Sequence, residues 1–255
     1  MSERRFGISS STLHIIGMIF MLCDHLWATV IPGNDWLTCV GRLTYPIFAF
    51  LVVEGYFHTS NLRRYLLRMG IFALISEIPF NLMYGGSVIY PVHQSVMCTL
   101  LIGLVLIILN EAARKKNKLW LTLITAVCTV LLGALLGVVT FTDYSSVGVL
   151  TILVFYFFRK RNIWHFLLQL VCLYYLNAEV LQGMYFTVEL FGKEFEIVRQ
   201  SLAVLSLIPI WLYNGKKGIR SKVFRYFCYA FYPAHMLVLW IIKNTDIIGE
   251  WFLSL

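Results

Sequence analysis

The sequence predicts an all-α protein, a polytopic transmembrane helical bundle of about nine spans with a cytoplasmic amino terminus. Of its 255 residues, 59% are hydrophobic and only 13% are charged, whereas a soluble domain carries about 25% charged residues. The apolar residues form long runs without the period-two alternation of a β-barrel. In lipid such runs become helices, because each backbone donor and acceptor must pair within its own segment. We expect one membrane domain over residues 1–255.

Nine apolar runs account for most of the chain, since a bilayer core about 30 Å thick takes about 20 helical residues. They are predicted at 13–31, 36–56, 65–84, 90–109, 119–137, 144–158, 164–181, 198–213 and 223–242. The sixth and eighth are short. The first is interpreted as a retained span, because no signal-peptide cleavage site follows it. Residues 182–199 form the largest predicted outer loop, a small external cap.

Lysine and arginine positions predict the orientation. They cluster before the first span and after every second span, at residues 4–5, 63–68, 114–118, 159–161 and 216–225. The opposite loops hold only Lys193, Arg199 and Lys243. The positive-inside rule therefore places the clusters in the cytoplasm. They also explain the net charge of +8, and no continuous basic face suggests nucleic acid as a partner.

Several ionisable residues fall inside predicted spans, and four of them lie at a similar depth or beside such a residue: Asp24, His25, Arg42 and Glu77. Inserting a charged side chain at membrane depth costs at least about 2.5–3.5 kcal/mol of free energy, so each of these residues needs a partner or a water-filled cavity. At about 1.5 Å per residue, His25, Arg42 and Glu77 lie roughly 9–11 Å below the outer ends of their spans. We expect all four in one pocket. The alternative is a structural ion pair of Arg42 with Asp24 or Glu77.

Histidines in the first and last spans are candidates for proton transfer. His25 shares one helix face with His14, Met18 and Met21, a stripe that could line a passage. Asp24 points about 100° away from His25, so it is expected to pair with another helix. His235 lies beside the helix break predicted at Pro233, where polar residues often line cavities. The alternative for either ring is a buried histidine with a structural hydrogen bond.

A further group lies at the predicted cytoplasmic end of the second span. Glu54 and His58 are four residues apart and share a face, and Arg63, Arg64 and Arg68 follow. The group is either an ordinary positive-inside loop or a mouth for an anionic cytosolic molecule, since arginine suits phosphate. No metal site is expected, because the histidines and carboxylates lack ligand spacing and the six cysteines form no C-x-x-C pair.

Four stretches carry a resemblance to a known family. They are MLCDH at 21–25, GRLTYPIFAFL continuing to EGYFHT over 41–59, residues 68–80 with ISEIPF, and YPAH at 232–235. In these stretches the chain resembles the TraX family of bacterial membrane proteins, named for the enzyme that acetylates the amino terminus of conjugative pilin. The first three stretches form one block that covers about the first third of the chain.

The resemblance implies acetyl transfer within a wider set of transmembrane acyltransferases. Acetyl-CoA would be used from the cytosolic face of the bacterial cytoplasmic membrane, near Glu54, His58, Arg63, Arg64 and Arg68. The acceptor would be a peptide amine, a sugar or a lipid head group.

In this scheme His25 is the expected general base. Arg42, held by Glu77 or Asp24, is expected to stabilise the oxyanion. His235 is a reserve base or acyl relay. A proton-coupled transporter and a non-catalytic membrane scaffold are the alternatives from other functional classes.

Overall fold

A computed structural model describes residues 7–190 and 192–245 and is mostly helical. Ten α-helices in these ranges are α1 (Ser10–Thr29), α2 (Asp35–Gly41), α3 (Thr44–His58), α4 (Leu62–Gly85), α5 (Val96–Arg114), α6 (Leu119–Val139), α7 (Ser145–Phe157), α8 (Ile163–Tyr174), α9 (Leu207–Leu212) and α10 (Lys222–Asn244). A π-helical turn, Tyr175–Leu181, extends α8, and a 3₁₀ helix, Arg199–Ser206, precedes α9.

Six helical segments among the described residues are long and apolar enough to cross a membrane. They are α1, the combined segment Asp35–His58, α4, α5, α6 and the segment Ile163–Leu181. The shorter apolar segments are α7 and Arg199–Leu212. The fold is therefore that of a membrane protein, while the count of nine spans and the cytoplasmic amino terminus stay predictions. Arg4 and Arg5, part of the orientation argument, lie outside the described residues.

The segment that was predicted to form the largest outer loop corrects the all-α prediction. Residues Tyr185–Leu190 (β1) and Lys193–Val198 (β2) form an antiparallel hairpin in which Tyr185 is paired with Val198. Alternating residues such as Phe186, Val188 and Ile197 favour strands here. The segment is too short and too polar to form a span, and it joins the π-helical turn to the 3₁₀ helix.

Contacts between segments bring together parts of the chain that carry or adjoin basic clusters. Ser11 Oγ donates to the carbonyl oxygen of Lys217 at 2.8 Å, and Arg161 donates to the carbonyls of Trp211 and Ile210. Arg159 Nε donates to Glu54 Oε1 at 2.8 Å. These contacts join the segments around residues 58, 160 and 217, so they agree with the charge alternation along the chain.

The break between α2 and α3 positions the site. Gly41 ends α2 against Asp24 of α1, and a Cβ at that position would overlap the Asp24 side chain. The small residue therefore lets the two helices approach closely. Arg42 and Leu43 form a turn at this point, and α3 begins again at Thr44. Behind the site, α1 packs on α3 and α10, and α4 packs on α5 and α10.

We expect Glu54→Ala to lower the free energy of unfolding by about 3 kcal/mol, because it leaves the partly buried Arg159 without its counter-charge. Thermal unfolding in detergent measures this effect. The control is Arg63→Ala, since Arg63 is exposed and its loss should change little. Equal stability of the two variants would contradict a structural role for the Glu54–Arg159 pair.

Candidate functional site

A cavity of about 440 Å³ lies at the end of the bundle opposite the basic clusters. We call it the outer cavity. Asp24, His25 and Arg42 line it, together with Thr44 at the start of α3. The turn at residues 182–184, just before the hairpin, forms part of its rim. Three of the four ionisable residues predicted to share a pocket therefore do so.

Arg42 is held by a hydrogen-bond network on all sides. Its Nη2 forms an ion pair with Asp24 Oδ1 and donates to Thr38 Oγ1 at 2.9 Å. Thr38 Oγ1 in turn donates to Asp24 at 2.7 Å. Nη1 donates to Gln200 Oε1 at 3.1 Å, and Gln200 Nε2 donates to Asn177 Oδ1 at 2.9 Å. Asp24 is thus the partner of Arg42, and it points away from the His25 ring as expected.

His25 and His235 form a buried pair between α1 and α10. Nδ1 of His25 lies 2.7 Å from Nε2 of His235, whose Nδ1 lies 2.7 Å from the carbonyl oxygen of Phe231. A carbonyl only accepts, so His235 Nδ1 carries the hydrogen and its Nε2 is an acceptor in the neutral ring. Nδ1 of His25 therefore donates. This leaves Nε2 of His25 with a free lone pair, as a general base requires.

The two histidines differ in their access to the outer cavity. The His25 ring lines it, while His235 is not among its lining residues. His235 is 7% exposed and holds the His25 ring by the hydrogen bond described above. The arrangement gives His25 the position to contact a ligand and His235 the position to orient it.

A second cavity, of about 200 Å³, reaches the basic end of the bundle. We call it the inner cavity. Its mouth is lined by Lys217, Arg220 and Arg225, and its wall includes His14. Four side chains line both cavities, and we call them the septum: Met21, Phe48, Val96 and Tyr232. Three residues of the predicted stripe line cavities, His14 the inner one, His25 the outer one and Met21 both, whereas Met18 lines neither.

Glu77 does not join the pocket predicted for it. Its Oε1 accepts hydrogen bonds from the Ser95 backbone N–H at 3.0 Å, from Ser95 Oγ at 2.6 Å and from Cys98 Sγ at 3.2 Å. Ser95 is the residue that precedes α5, so the carboxylate pairs with the backbone N–H of the residue before a helix start, where negative charge is favourable. Glu77 therefore lines neither cavity, and its predicted pairing with Arg42 is not formed.

The residues predicted to face CoA lie away from both cavities. Glu54 binds Arg159 and is 3.5 Å from His58 Nδ1, so the expected neighbours do meet. Arg63 and Arg64 are exposed on α4, and Arg68 is partly buried there. None of these five side chains lines the inner cavity. The basic residues that do line it come instead from the last basic cluster.

Several residues of the outer cavity and of the Arg42 network were not singled out from the sequence. Gln200 and Asn177 complete the Arg42 network, and Asp143 lines the cavity and binds His93. In the sequence they stand out only as polar residues within or beside apolar runs. That pattern does not indicate which side chains they contact. In the described ranges, no group of three or more histidine, cysteine or acidic side chains is placed to hold a metal.

His93 and Asp143 predict a pH-dependent contribution to stability at the outer rim. The hydrogen bond from His93 Nε2 to Asp143, 3.0 Å long, raises the His93 pKa above its usual 6.5. The stabilisation is therefore fully present below about pH 6.5 and is lost as pH rises through the raised pKa. We expect Asp143→Asn to lower Tm more at pH 6 than at pH 9. In a His93→Gln background this difference should vanish; if it persists, another group causes it.

Comparison with known proteins agrees with this architecture. A family model described as TraX protein matches residues 9–243. The "Probable fimbrial assembly protein FimC, serogroup H1" of Dichelobacter nodosus is 29% identical over 251 residues, covering 93% of this chain and 96% of the relative. No solved structure matches. Because the family match extends over almost the whole chain, the chain belongs to the TraX family.

Proposed function

We propose that the protein is an integral membrane acetyltransferase of the bacterial cytoplasmic membrane. It moves an acetyl group from cytosolic acetyl-CoA to an amine or hydroxyl acceptor that enters from the opposite face. The observation that carries the proposal is the His25–His235 pair at the outer cavity, which is separated from the basic inner cavity only by the septum. The free lone pair of His25 lies in the outer cavity, close to the septum. This position suits proton removal during acyl transfer.

The inner cavity is the proposed route for acetyl-CoA. Lys217, Arg220 and Arg225 offer three cations at its mouth, and α10 begins there with its N–H groups, which favour phosphate. The deeper wall is apolar, with Leu51, Met69 and other such side chains. Acetyl-CoA has phosphates at one end and a less polar arm at the other, so it matches a cavity with a basic mouth and an apolar wall. This assignment replaces Arg63, Arg64 and Arg68, together with Glu54 and His58, as the CoA site.

The outer cavity is the proposed acceptor site. There His25 Nε2 takes the proton of the attacking amine or hydroxyl, and the guanidinium of Arg42, held in place by Asp24, lies beside the reacting group. The relative from Dichelobacter nodosus is named as a fimbrial assembly protein, so pilus subunits are one peptide acceptor to test. Sugars and lipid head groups remain the other classes. Glu77 acts in this proposal through the start of α5, not on the substrate.

A proton-coupled transporter is the second candidate. Two cavities on either side of a septum, with His14 and His25 on one helix face, also suit alternating access. The two functions separate in liposomes without acetyl-CoA, where a transporter moves protons and an acetyltransferase does not.

We expect His25→Gln to lower acetyl transfer by about 10²- to 10⁴-fold, because it removes the general base. Membrane vesicles that carry the protein are incubated with ¹⁴C-acetyl-CoA, and label is counted in peptide, glycan and lipid fractions. His58→Gln is the control, since His58 lines neither cavity. Undiminished transfer by the His25 variant would remove that residue from the chemistry.

Acetyl-CoA binding tests the inner cavity separately. In the purified protein, Arg220→Gln with Arg225→Gln should raise the Kd for acetyl-CoA at least about tenfold, since each cation–phosphate contact contributes more than 1 kcal/mol. The matched pair Arg63→Gln with Arg64→Gln should leave Kd unchanged. The opposite pattern would return the CoA site to the loop after α3.

A further inference from the structure

The start of α3 opens into the outer cavity. Thr44 and Tyr45 are its first residues, and both line that cavity. The first N–H groups of a helix have no partner within it, and no side chain caps this end of the 15-residue helix. Pro46, at the third position, has no N–H to offer. The amides of Thr44 and Tyr45 are therefore the two that this helix start presents near His25.

The Thr44 hydroxyl is the second observation at this position. The residue is 8% exposed, and Oγ1 has no hydrogen-bond partner in the part of the chain that the structure describes. An unpaired buried hydroxyl destabilises a fold, and a buried polar group is normally satisfied. Because the residue lines the cavity, this unpaired donor lies next to the space that a ligand would occupy.

Most N–H donors of Arg42 are already used within the protein, so Arg42 can donate few hydrogen bonds to that ligand. Of its five N–H groups, Nε donates to the Thr38 carbonyl, one on Nη1 donates to Gln200, and those on Nη2 go to Asp24 and Thr38 Oγ1. One N–H remains. Arg42 therefore contributes charge and fixes the turn, while the free donors of this region belong to the start of α3.

We propose that the Thr44 hydroxyl and the first amides of α3 form the oxyanion site of acetyl transfer. The inference rests on the proposed function. The acceptor nitrogen or oxygen attacks the thioester carbonyl carbon, its proton passes to His25 Nε2, and the carbonyl oxygen becomes an oxyanion. These donors bind that oxyanion. When the carbonyl re-forms, the C–S bond breaks, and the CoA thiolate leaves and receives the proton from His25.

Thr44→Val tests this role, because it removes the hydroxyl and keeps the shape. We expect the rate at saturating ¹⁴C-acetyl-CoA to fall on the order of 10²-fold, as for loss of one oxyanion donor, with KM for acetyl-CoA unchanged. Thr44→Ser should restore most of the rate. Since the hydroxyl is unpaired, the valine variant should unfold at a temperature no lower than that of wild type. Thr151→Val, at another unpartnered buried threonine that lines neither cavity, should behave as wild type.

The outcomes separate the two proposals. An active wild type with an equally active Thr44→Val variant overturns the oxyanion site alone. A rise in KM with an unchanged maximal rate also overturns it, because it assigns Thr44 to ground-state binding. A wild type that transfers no label to any fraction overturns both the oxyanion site and the acetyltransferase assignment.

Discussion

The ion pair between Asp24 and Arg42 is the interaction on which the arrangement of the site depends. A guanidinium at membrane depth is tolerated only with a partner, and Asp24 provides one because Gly41 lets α1 approach α2 closely. The same pairing fixes Arg42 in the turn that interrupts the second helical segment. Thr44, where the new helix starts, comes two residues after Arg42, and His25 comes one residue after Asp24. The pair therefore helps to position both.

The septum lies between two cavities with different linings. Four side chains separate a cavity lined by basic residues at its mouth from one that contains the Asp24–Arg42 pair. In the proposed reaction an acetyl group would have only this thin layer to pass, so neither substrate would need to cross the membrane. The hydrogen bond from His25 Nδ1 to His235 leaves Nε2 of His25 as an acceptor, and the Phe231 carbonyl fixes the tautomer of His235. The proposed general base would therefore be set by main-chain geometry on α10.

The sequence could predict which polar residues lie at a similar depth in the bundle. It could predict little about which way their side chains point around the helix axis. Asp24, His25 and Arg42 were expected at one level and are found around one cavity. Glu77 lies at a similar estimated depth, but its carboxylate contacts the start of α5, and a depth estimate contains no information about direction around the helix axis. The hairpin was hidden because short strands outside the membrane leave no hydropathy signal. Likewise, the positive-inside rule identifies a face of the membrane without indicating which of its loops borders a cavity, so Arg220 was not singled out as a residue of the inner cavity.

The most direct measurement is a cryo-EM structure of the protein with acetyl-CoA bound. The proposed route through the inner cavity requires the phosphates at Lys217, Arg220 and Arg225, the pantetheine arm along the cavity, and the thioester at the septum facing His25. A nucleotide bound at Arg63 and Arg64, or a thioester remote from His25, would contradict it.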